Sequence, residues 1–207
     1  MATQAIAVST PPASYTGRDT LVQRCASGDA RAFEELYNEY RGMVSRLVRN
    51  VAGQRNDLED IAQEVFFQVH KSIASFQGSS KFTTWLYRLT VNVTLQYVKA
   101  KRHRTVPYLP IESRRDLSIE QPSPERQVWG SERWQILMSI LESLSEKKRV
   151  VFVLHEIEGI EAKEIARILG IPTLTVRTRL FYARKAIYDK LSRNPELLAG
   201  MKGGGIT

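Results

Sequence analysis

The residues best suited to a chemical task lie at 76–104, in the stretch FQGSSKFTTWLYRLTVNVTLQYVKAKRHR. At about 100° per residue of helix, an aromatic ring, two amides and two cations gather on one arc: Trp85, Arg88, Asn92, Gln96 and Lys99. Unpaired bases are held by aromatic stacking and by side chains that bond their edges, while lysine and arginine follow the phosphates. The arc therefore predicts a surface for unpaired nucleic acid. The alternative is an amphipathic helix with a buried tryptophan and a basic end.

A second nucleic-acid signature lies at 161–187, EAKEIARILGIPTLTVRTRLFYARKAI. Gly170 suits the left-handed end of a short helix, and Pro172 suits the start of the next one. A buried apolar stripe with arginines on the opposite side is typical of a helix-turn-helix whose second helix enters the major groove. The exposed side would carry Thr178, Phe181, Tyr182 and Lys185, flanked by Arg177, Arg179 and Arg184. A plain helical hairpin with a solvated basic face is the alternative.

A third segment, NDLEDIAQEVFFQVHKSI at 56–73, carries acidic residues in the first turns of a predicted helix. Acids at that end suit the helix dipole, which is the structural explanation. One apolar stripe, however, cannot bury both Phe66 and Phe67. An exposed aromatic residue rimmed by acids is typical of a protein-binding surface, so this helix is predicted to bind a protein partner.

The charge of the chain agrees with an anionic partner. The 207 residues carry a formal net charge of +8, which suits a polyanion such as nucleic acid, although a membrane surface or acidic proteins would also satisfy charge alone. The sequence contains no run of about 18 apolar residues, the length needed to span a bilayer. Residues 1–17 lack the features of a secretory signal. We expect a cytoplasmic protein with no membrane insertion.

The chain offers no catalytic or metal-binding constellation. It contains one cysteine, Cys25, and three histidines, without a metal-ligand spacing. Asp57 and Asp60 are the only close carboxylates that could suggest acid–base chemistry, and no histidine or cysteine lies near them. We therefore expect no enzyme activity, no catalytic residue, no metal and no cofactor.

Periodicity divides the chain into two helical parts. Residues 18–104 and 128–193 are helical in pattern, whereas 105–127 hold four prolines among charges and serines. Proline removes a backbone donor and restricts its predecessor, so this stretch is predicted to be a linker. Residues 1–17 and 194–207 are predicted to be loose tails. The expected fold is all-α, with two small helical domains joined by a flexible linker.

Three segments in series resemble the extracytoplasmic-function (ECF) sigma factors, the smallest members of the bacterial sigma-70 family. They are DLEDIAQEVF at 57–66, the KFTTWLYRLTVN segment ending at Asn92, and EIARILGIPT with the basic helix after it at 164–185. The resemblance covers about 19–193. It implies region 2 at 18–104, region 4 at 128–193, and an alternative sigma factor that directs promoter-specific initiation in response to a stress or signal. The implied partners are core RNA polymerase, promoter DNA and an anti-sigma factor.

The resemblance also implies roles for matching positions. Docking on the beta and beta-prime subunits of core polymerase is implied for Asp57, Asp60, Gln63, Glu64, Val65 and Phe66. Melting and reading of the minus-ten element are implied for Phe76, Ser79, Lys81, Phe82, Trp85, Arg88, Asn92, Gln96, Lys99 and Arg102. Reading of the minus-thirty-five element is implied for Thr175, Arg177, Thr178, Arg179, Phe181, Tyr182, Arg184 and Lys185.

The chain departs from the family pattern at three positions. Ser145 stands where proline is usual, and serine is a sound helix cap. Glu161 replaces the usual serine or threonine before the first helix of the helix-turn-helix. Leu174 replaces a common glycine at the start of the recognition helix, which changes the promoter contacts expected there.

Two other functions were weighed. A dimeric repressor or activator would need a palindromic site and a self-complementary helix face, but the acidic face at 57–64 would repel its copy. A helical nucleic-acid-modifying enzyme would need a metal cluster or an acid–base constellation, which the sequence lacks.

Overall fold

The computed structural model describes residues 17–103 and 132–193, so the predicted linker and tails lie outside the described residues, apart from Gly17. The first part holds α1 (Gly17–Ala26), α2 (Ala30–Ala52), α3 (Leu58–Ser72) and α4 (Phe82–His103). The second part holds α5 (Glu132–Glu142), α6 (Glu146–Phe152), α7 (Ala162–Leu169) and α8 (Thr173–Arg193). No strand occurs in either range. The prediction of an all-α fold with two helical domains is confirmed.

Local sequence signals set the helix ends. Asp29 caps α2, since its carboxylate accepts from the N–H groups of Arg31 at 2.9 Å and Ala32 at 3.1 Å. These contacts and the side chain of Arg24 hold the pKa of Asp29 below its usual value. Ser145 and Glu161 stand at the N-caps of α6 and α7, but neither side chain makes a capping hydrogen bond.

The helix-turn-helix prediction is confirmed in its geometry. Gly170 ends α7 in the left-handed conformation, with φ 64° and ψ 37°, where a side chain would be strained. The N–H of Ile171 bonds the carbonyl of Ala166 at 3.1 Å, and α8 begins directly after Pro172. Val176, Leu180 and Ala183 are buried along α8, as their spacing predicts.

The core of the first domain forms where three helices meet. Leu36, Val44 and Val48 line α2 at spacings of eight and four residues, and Ile61 from α3 and Leu86 from α4 join them. All five side chains have no solvent exposure. Burial of these stripes holds the acidic helix α3 and the polar helix α4 side by side.

The second core is shared between the two domains. Leu47 and Val51 of α2 and Val91 of α4 belong to the same buried cluster as Leu141 and Val150 of the second domain. The first domain therefore carries two apolar faces, one for its own core and one for its neighbour. The two domains pack directly against each other.

Candidate nucleic-acid interface

An aromatic cluster begins the predicted nucleic-acid face of α4. The ring of Trp85 lies 5.5 Å from the rings of both Phe76 and Phe82, centroid to centroid. Phe82 is buried at 7% exposure, whereas Phe76 and Trp85 are half-buried. Phe82 can therefore support the cluster from beneath, while part of each of the other two rings is accessible to solvent.

The polar members of the predicted arc lie beyond this cluster. Asn92, Gln96 and Lys99 are exposed along α4, and the Lys99 ammonium lies 3.9 Å from the Glu146 carboxylate. Ser79 and Lys81 are exposed in the preceding loop. The side chain of Arg102 lies outside the described residues. The structure thus brings aromatic, amide and cationic groups to one surface, which can stack on bases, bond their edges and contact phosphates.

The first helix of the helix-turn-helix lies against this face. The Nε of Arg88 donates to the Ile168 carbonyl at 3.0 Å, and its second guanidinium nitrogen donates to the Arg167 carbonyl. The hydroxyl of Thr84 donates to the Glu164 carboxylate. A pocket of about 450 Å³ lies at this junction, lined on one side by Phe76 and Trp85 and on the other by Arg167 and Gly170.

The exposed face of α8 carries both cations and apolar groups. Leu174 is 75% exposed, Phe181 62% and Tyr182 50%. Arg177, Thr178, Arg184 and Lys185 are also exposed, while Thr175 and Arg179 are half-buried. Arg184 is held by two hydrogen bonds to the Glu156 carboxylate, at 2.9 and 2.6 Å. Cations can contact phosphates or guanine edges, and apolar groups can contact thymine methyl groups.

Sequence reasoning missed part of this face. Phe181 was predicted to be exposed, whereas Leu174 and Tyr188 were not predicted. All three are exposed and lie seven residues apart, so they form one stripe along α8. The seven-residue spacing is present in the sequence, but the buried stripe and the arginines are the stronger signals in this helix. Leu174 is therefore a further candidate for a base contact at the start of the helix.

The acidic helix α3 presents a smaller surface than its sequence suggests. Asp60 and Gln63 are exposed and Glu64 is half-buried, whereas Val65 and Phe66 are buried. The expectation that one of the two phenylalanines stays exposed is confirmed, and it is Phe67, at 51% exposure. The Lys71 ammonium lies 4.2 Å above its ring. Phe67 was not among the predicted docking residues, and it joins them on this observation.

Asp57, one of the residues that the resemblance assigns to docking, is largely buried. Its side chain is only 7% exposed, and it accepts from Arg55 at 2.9 and 3.2 Å and from Lys101 at 2.7 Å. These hydrogen bonds, that from Arg55 first, lower the pKa of Asp57 to about 2. The carboxylate ties α3 to the end of α4, and this contact leaves little of it for a partner.

No site for a metal ion is found within 17–103 and 132–193, where no three histidine, cysteine, aspartate or glutamate side chains group together. In the same ranges, no helix has the length and apolar character needed to cross a membrane.

Comparison with known proteins gives the same organisation. The family profile "Sigma-70 region 2" matches residues 36–104, and "Sigma-70, region 4" matches 134–187. The ECF RNA polymerase sigma-E factor of Haemophilus influenzae is 35% identical over 178 residues, which are 83% of this chain and 93% of that protein. The sigma-E factor of Escherichia coli is 35% identical over 83% of this chain and 92% of its own length.

Two solved structures are similar in fold. CnrH in complex with the cytosolic domain of CnrY has a TM-score of 0.61 and 22% identity, covering 84% of this chain and 97% of that one. The sigma factor RpoE in complex with the anti-sigma factor NepR, from Bartonella quintana, has a TM-score of 0.60 and 17% identity, covering 80% and 99%. At these identities the likeness concerns the fold.

Proposed function

The chain belongs to the ECF RNA polymerase sigma factors of the sigma-70 family, and from that membership we propose that it binds core RNA polymerase and directs transcription initiation at specific promoters. The observation that carries the proposal is the pairing of two different nucleic-acid surfaces in one chain. The α4 face suits unpaired bases, and the α8 face suits a duplex groove. A protein that reads one duplex element and opens another needs both.

We assign region 4, at 128–193, to the minus-thirty-five element. Helix-turn-helix proteins place the second helix in the major groove, with its N-terminal residues at the base edges. Arg177, Thr178 and Lys185 are exposed on that side of α8, and Leu174 is exposed at its start. Their exposure supports a base-reading role for Arg177 and Leu174 and a phosphate-contacting role for Lys185.

We assign region 2, at 18–104, to melting and reading of the minus-ten element. Extruding a base costs a few kcal/mol, and stacking returns about 1–3 kcal/mol per base. Trp85 supplies an accessible ring, and Asn92 offers a donor and an acceptor on one exposed amide. Opening the duplex in this way requires binding energy alone, so no catalytic residue or cofactor is proposed.

We assign the exposed part of α3 to core polymerase, through its beta and beta-prime subunits. Asp60, Gln63, Glu64 and Phe67 form an acidic rim around one exposed ring. Such a surface suits a basic partner with an apolar pocket. Since core polymerase is the partner, the protein would act in the cytoplasm.

We also propose an anti-sigma factor as a partner. One structure of the same fold holds a sigma factor in complex with an anti-sigma factor. That complex supports the proposal, because a protein of the same fold binds an anti-sigma factor there.

Run-off transcription tests the proposed function. The purified chain is added to core polymerase on genomic fragments, and specific transcripts are expected only when both are present. Asp60→Arg should abolish them, whereas Glu34→Arg, the same charge change at an exposed position of α2, should not. The absence of any specific transcript, with a known sigma factor active in parallel, would contradict the proposal.

A further inference from the structure

We propose that Leu174 determines part of the promoter sequence, by packing against the 5-methyl group of a thymine in the major groove of the upstream element. This inference rests on the proposed function of α8 and extends it to one base and one chemical group. The upstream element should therefore carry a thymine at the base pair that faces the start of α8.

The buried side of α8 fixes which residues face outward. Val176, Leu180 and Ala183 are buried, and at about 100° per residue they span an arc of about 60°. Leu174 and Phe181 lie on the opposite side of the helix, about 20° apart. Their side chains are 75% and 62% exposed. The middle of the outward face is therefore apolar over its first turns.

Two hydrogen-bonding side chains of α8 are already engaged within the protein. Arg184 donates twice to the Glu156 carboxylate, at 2.9 and 2.6 Å, and it lies about 80° around the helix from Leu174. The hydroxyl of Thr178, which faces outward, donates to the Leu174 carbonyl at 2.9 Å. Its hydrogen is committed to the backbone, so the hydroxyl has none to donate to a base.

Cations flank the apolar centre without covering it. Arg177 is exposed and lies about 60° around the helix from Leu174, where it suits a phosphate or a guanine edge. Lys185 is exposed as well, but it lies eleven residues further on, about 16 Å along the helix axis. The start of α8 thus presents a cation and an apolar side chain next to each other, and each suits a different base.

Thymine is the base that an isobutyl side chain distinguishes. In the major groove every base presents hydrogen-bond donors or acceptors, and thymine adds a methyl group. Leucine gains free energy when it covers this methyl group. Over a polar base edge it displaces water without replacing the lost hydrogen bond, which costs free energy. Leu174 therefore favours thymine by contact and disfavours other bases by desolvation.

The position of Leu174 suits DNA as the surface that covers it. Leu174 is the second residue of α8, and helix-turn-helix proteins place the N-terminal residues of the second helix against base edges. The exposed cation Arg177 on the next turn requires an anionic surface beside the apolar one. The floor of the major groove, bordered by phosphates, offers both.

Substitution of thymine by uracil tests the contact, because uracil lacks the 5-methyl group and keeps the same hydrogen-bonding edge. The probe is a duplex promoter found in the run-off assay, with each thymine of its upstream element replaced by uracil in turn. At one of these positions, wild-type holoenzyme should lose affinity about fourfold, the effect of removing one buried methyl group. Holoenzyme with Leu174→Ala should bind the thymine duplex more weakly and show no further loss at that position.

Three controls separate base reading from other effects. Leu174→Met keeps a long apolar side chain and should retain most of the loss. Tyr188→Ala removes the exposed apolar group about 21 Å away along α8 and should retain all of it. A duplex with 5-methylcytosine at the same position should bind wild type more tightly than a cytosine duplex does, and Leu174→Ala should bind the two equally. Thermal melting should be unchanged in Leu174→Ala, since the exposed side chain leaves no cavity.

Equal losses in wild type and Leu174→Ala at every thymine would overturn the inference, even if Leu174→Ala lowered the affinity for all duplexes alike. Leu174 would then contribute to binding without reading a base. Failure of the proposed function is distinguishable, because wild-type protein would then yield no promoter-specific transcript with core polymerase. Normal transcripts together with losses that do not depend on Leu174 would contradict the role of this residue alone.

Discussion

The Nζ of Lys101 lies 2.7 Å from the Asp57 carboxylate and joins the end of α4 to the start of α3. Arg55 holds the same carboxylate from the other side. The contact between Lys101 and Asp57 joins α4, the helix assigned to the minus-ten element, to α3, the helix assigned to polymerase. Asp57 therefore adds a polar contact between two helices that also pack through the shared core.

Asp57→Asn should lower the free energy of unfolding by about 2 kcal/mol near pH 7, because the pKa of Asp57 falls from 3.8 to about 2 on folding. A lowered carboxyl pKa stabilises the fold above the unfolded value and loses that effect as pH falls through the folded value. The difference between wild type and variant should thus shrink between about pH 4 and pH 2. Urea unfolding at several pH values measures it, with Glu59→Gln in the same turn as control. A difference that does not depend on pH would contradict the charge effect.

Local features of this fold were predictable from the sequence. Gly170 and Pro172 indicate the turn of the helix-turn-helix, and Asp29 indicates the start of α2. Each of these residues acts on backbone groups within a few residues. The spacing of Val176, Leu180 and Ala183 likewise gives the buried side of α8.

Contacts between distant segments were not predictable in the same way. Periodicity indicates that Leu47 is buried, but it does not say against which domain. Arg88 has a cationic side chain that suits a phosphate, yet its partners are backbone carbonyls about 80 residues away. Carbonyls carry no sequence signal, so this part of the candidate site required the structure.

Arg177→Ala should weaken binding of the upstream promoter element by about 1–3 kcal/mol if the side chain reads a base edge. If the side chain contacts phosphate instead, the slope of the logarithm of the binding constant against the logarithm of the salt concentration should fall in magnitude by about one. Specificity for the promoter sequence should then change little. Binding of holoenzyme to duplex promoters at several salt concentrations distinguishes these cases. Arg193→Ala, at the exposed end of α8, is the control. Equal binding of wild type and Arg177→Ala under all conditions would contradict a role in DNA binding.

Phe67→Ser should lower the affinity for core polymerase while the fold is retained. The ring is half exposed, so its removal leaves little cavity, whereas an aromatic residue in an interface is a frequent source of binding energy. Titration of labelled protein with core polymerase measures the affinity, and thermal melting checks the fold. Phe181→Ser makes the same change on α8 and should spare polymerase binding to region 2. Unchanged affinity in Phe67→Ser would remove this residue from the docking surface.

Asn92→Ala should reduce open-complex formation and leave the melting temperature unchanged, because the amide is exposed and contributes little to the core. Permanganate reactivity on a duplex promoter measures opening, and a promoter with a premelted bubble should restore the activity. Asn38→Ala, the same change at an exposed position of α2, is the control and should leave open-complex formation unchanged. Normal reactivity with Asn92→Ala would refute a base-reading role for this residue.

Gly53→Ala should destabilise the protein more than Gly78→Ala does. Both glycines have positive φ, 84° and 68°, so each alanine costs about 1–2 kcal/mol in backbone strain. A Cβ at Gly78 would meet no atom within 4 Å, but a Cβ at Gly53 would lie 2.8 Å from the Oε1 of Glu142 in the other domain. That oxygen accepts the N–H of Gln54 at 2.5 Å, so displacing it loosens the contact between the domains. Urea unfolding should report the larger loss for Gly53→Ala, and hydrogen exchange at 138–144 should rise in that variant alone. Equal losses and equal exchange in the two variants would show that Gly53 is required for its backbone conformation and not for the approach of Glu142.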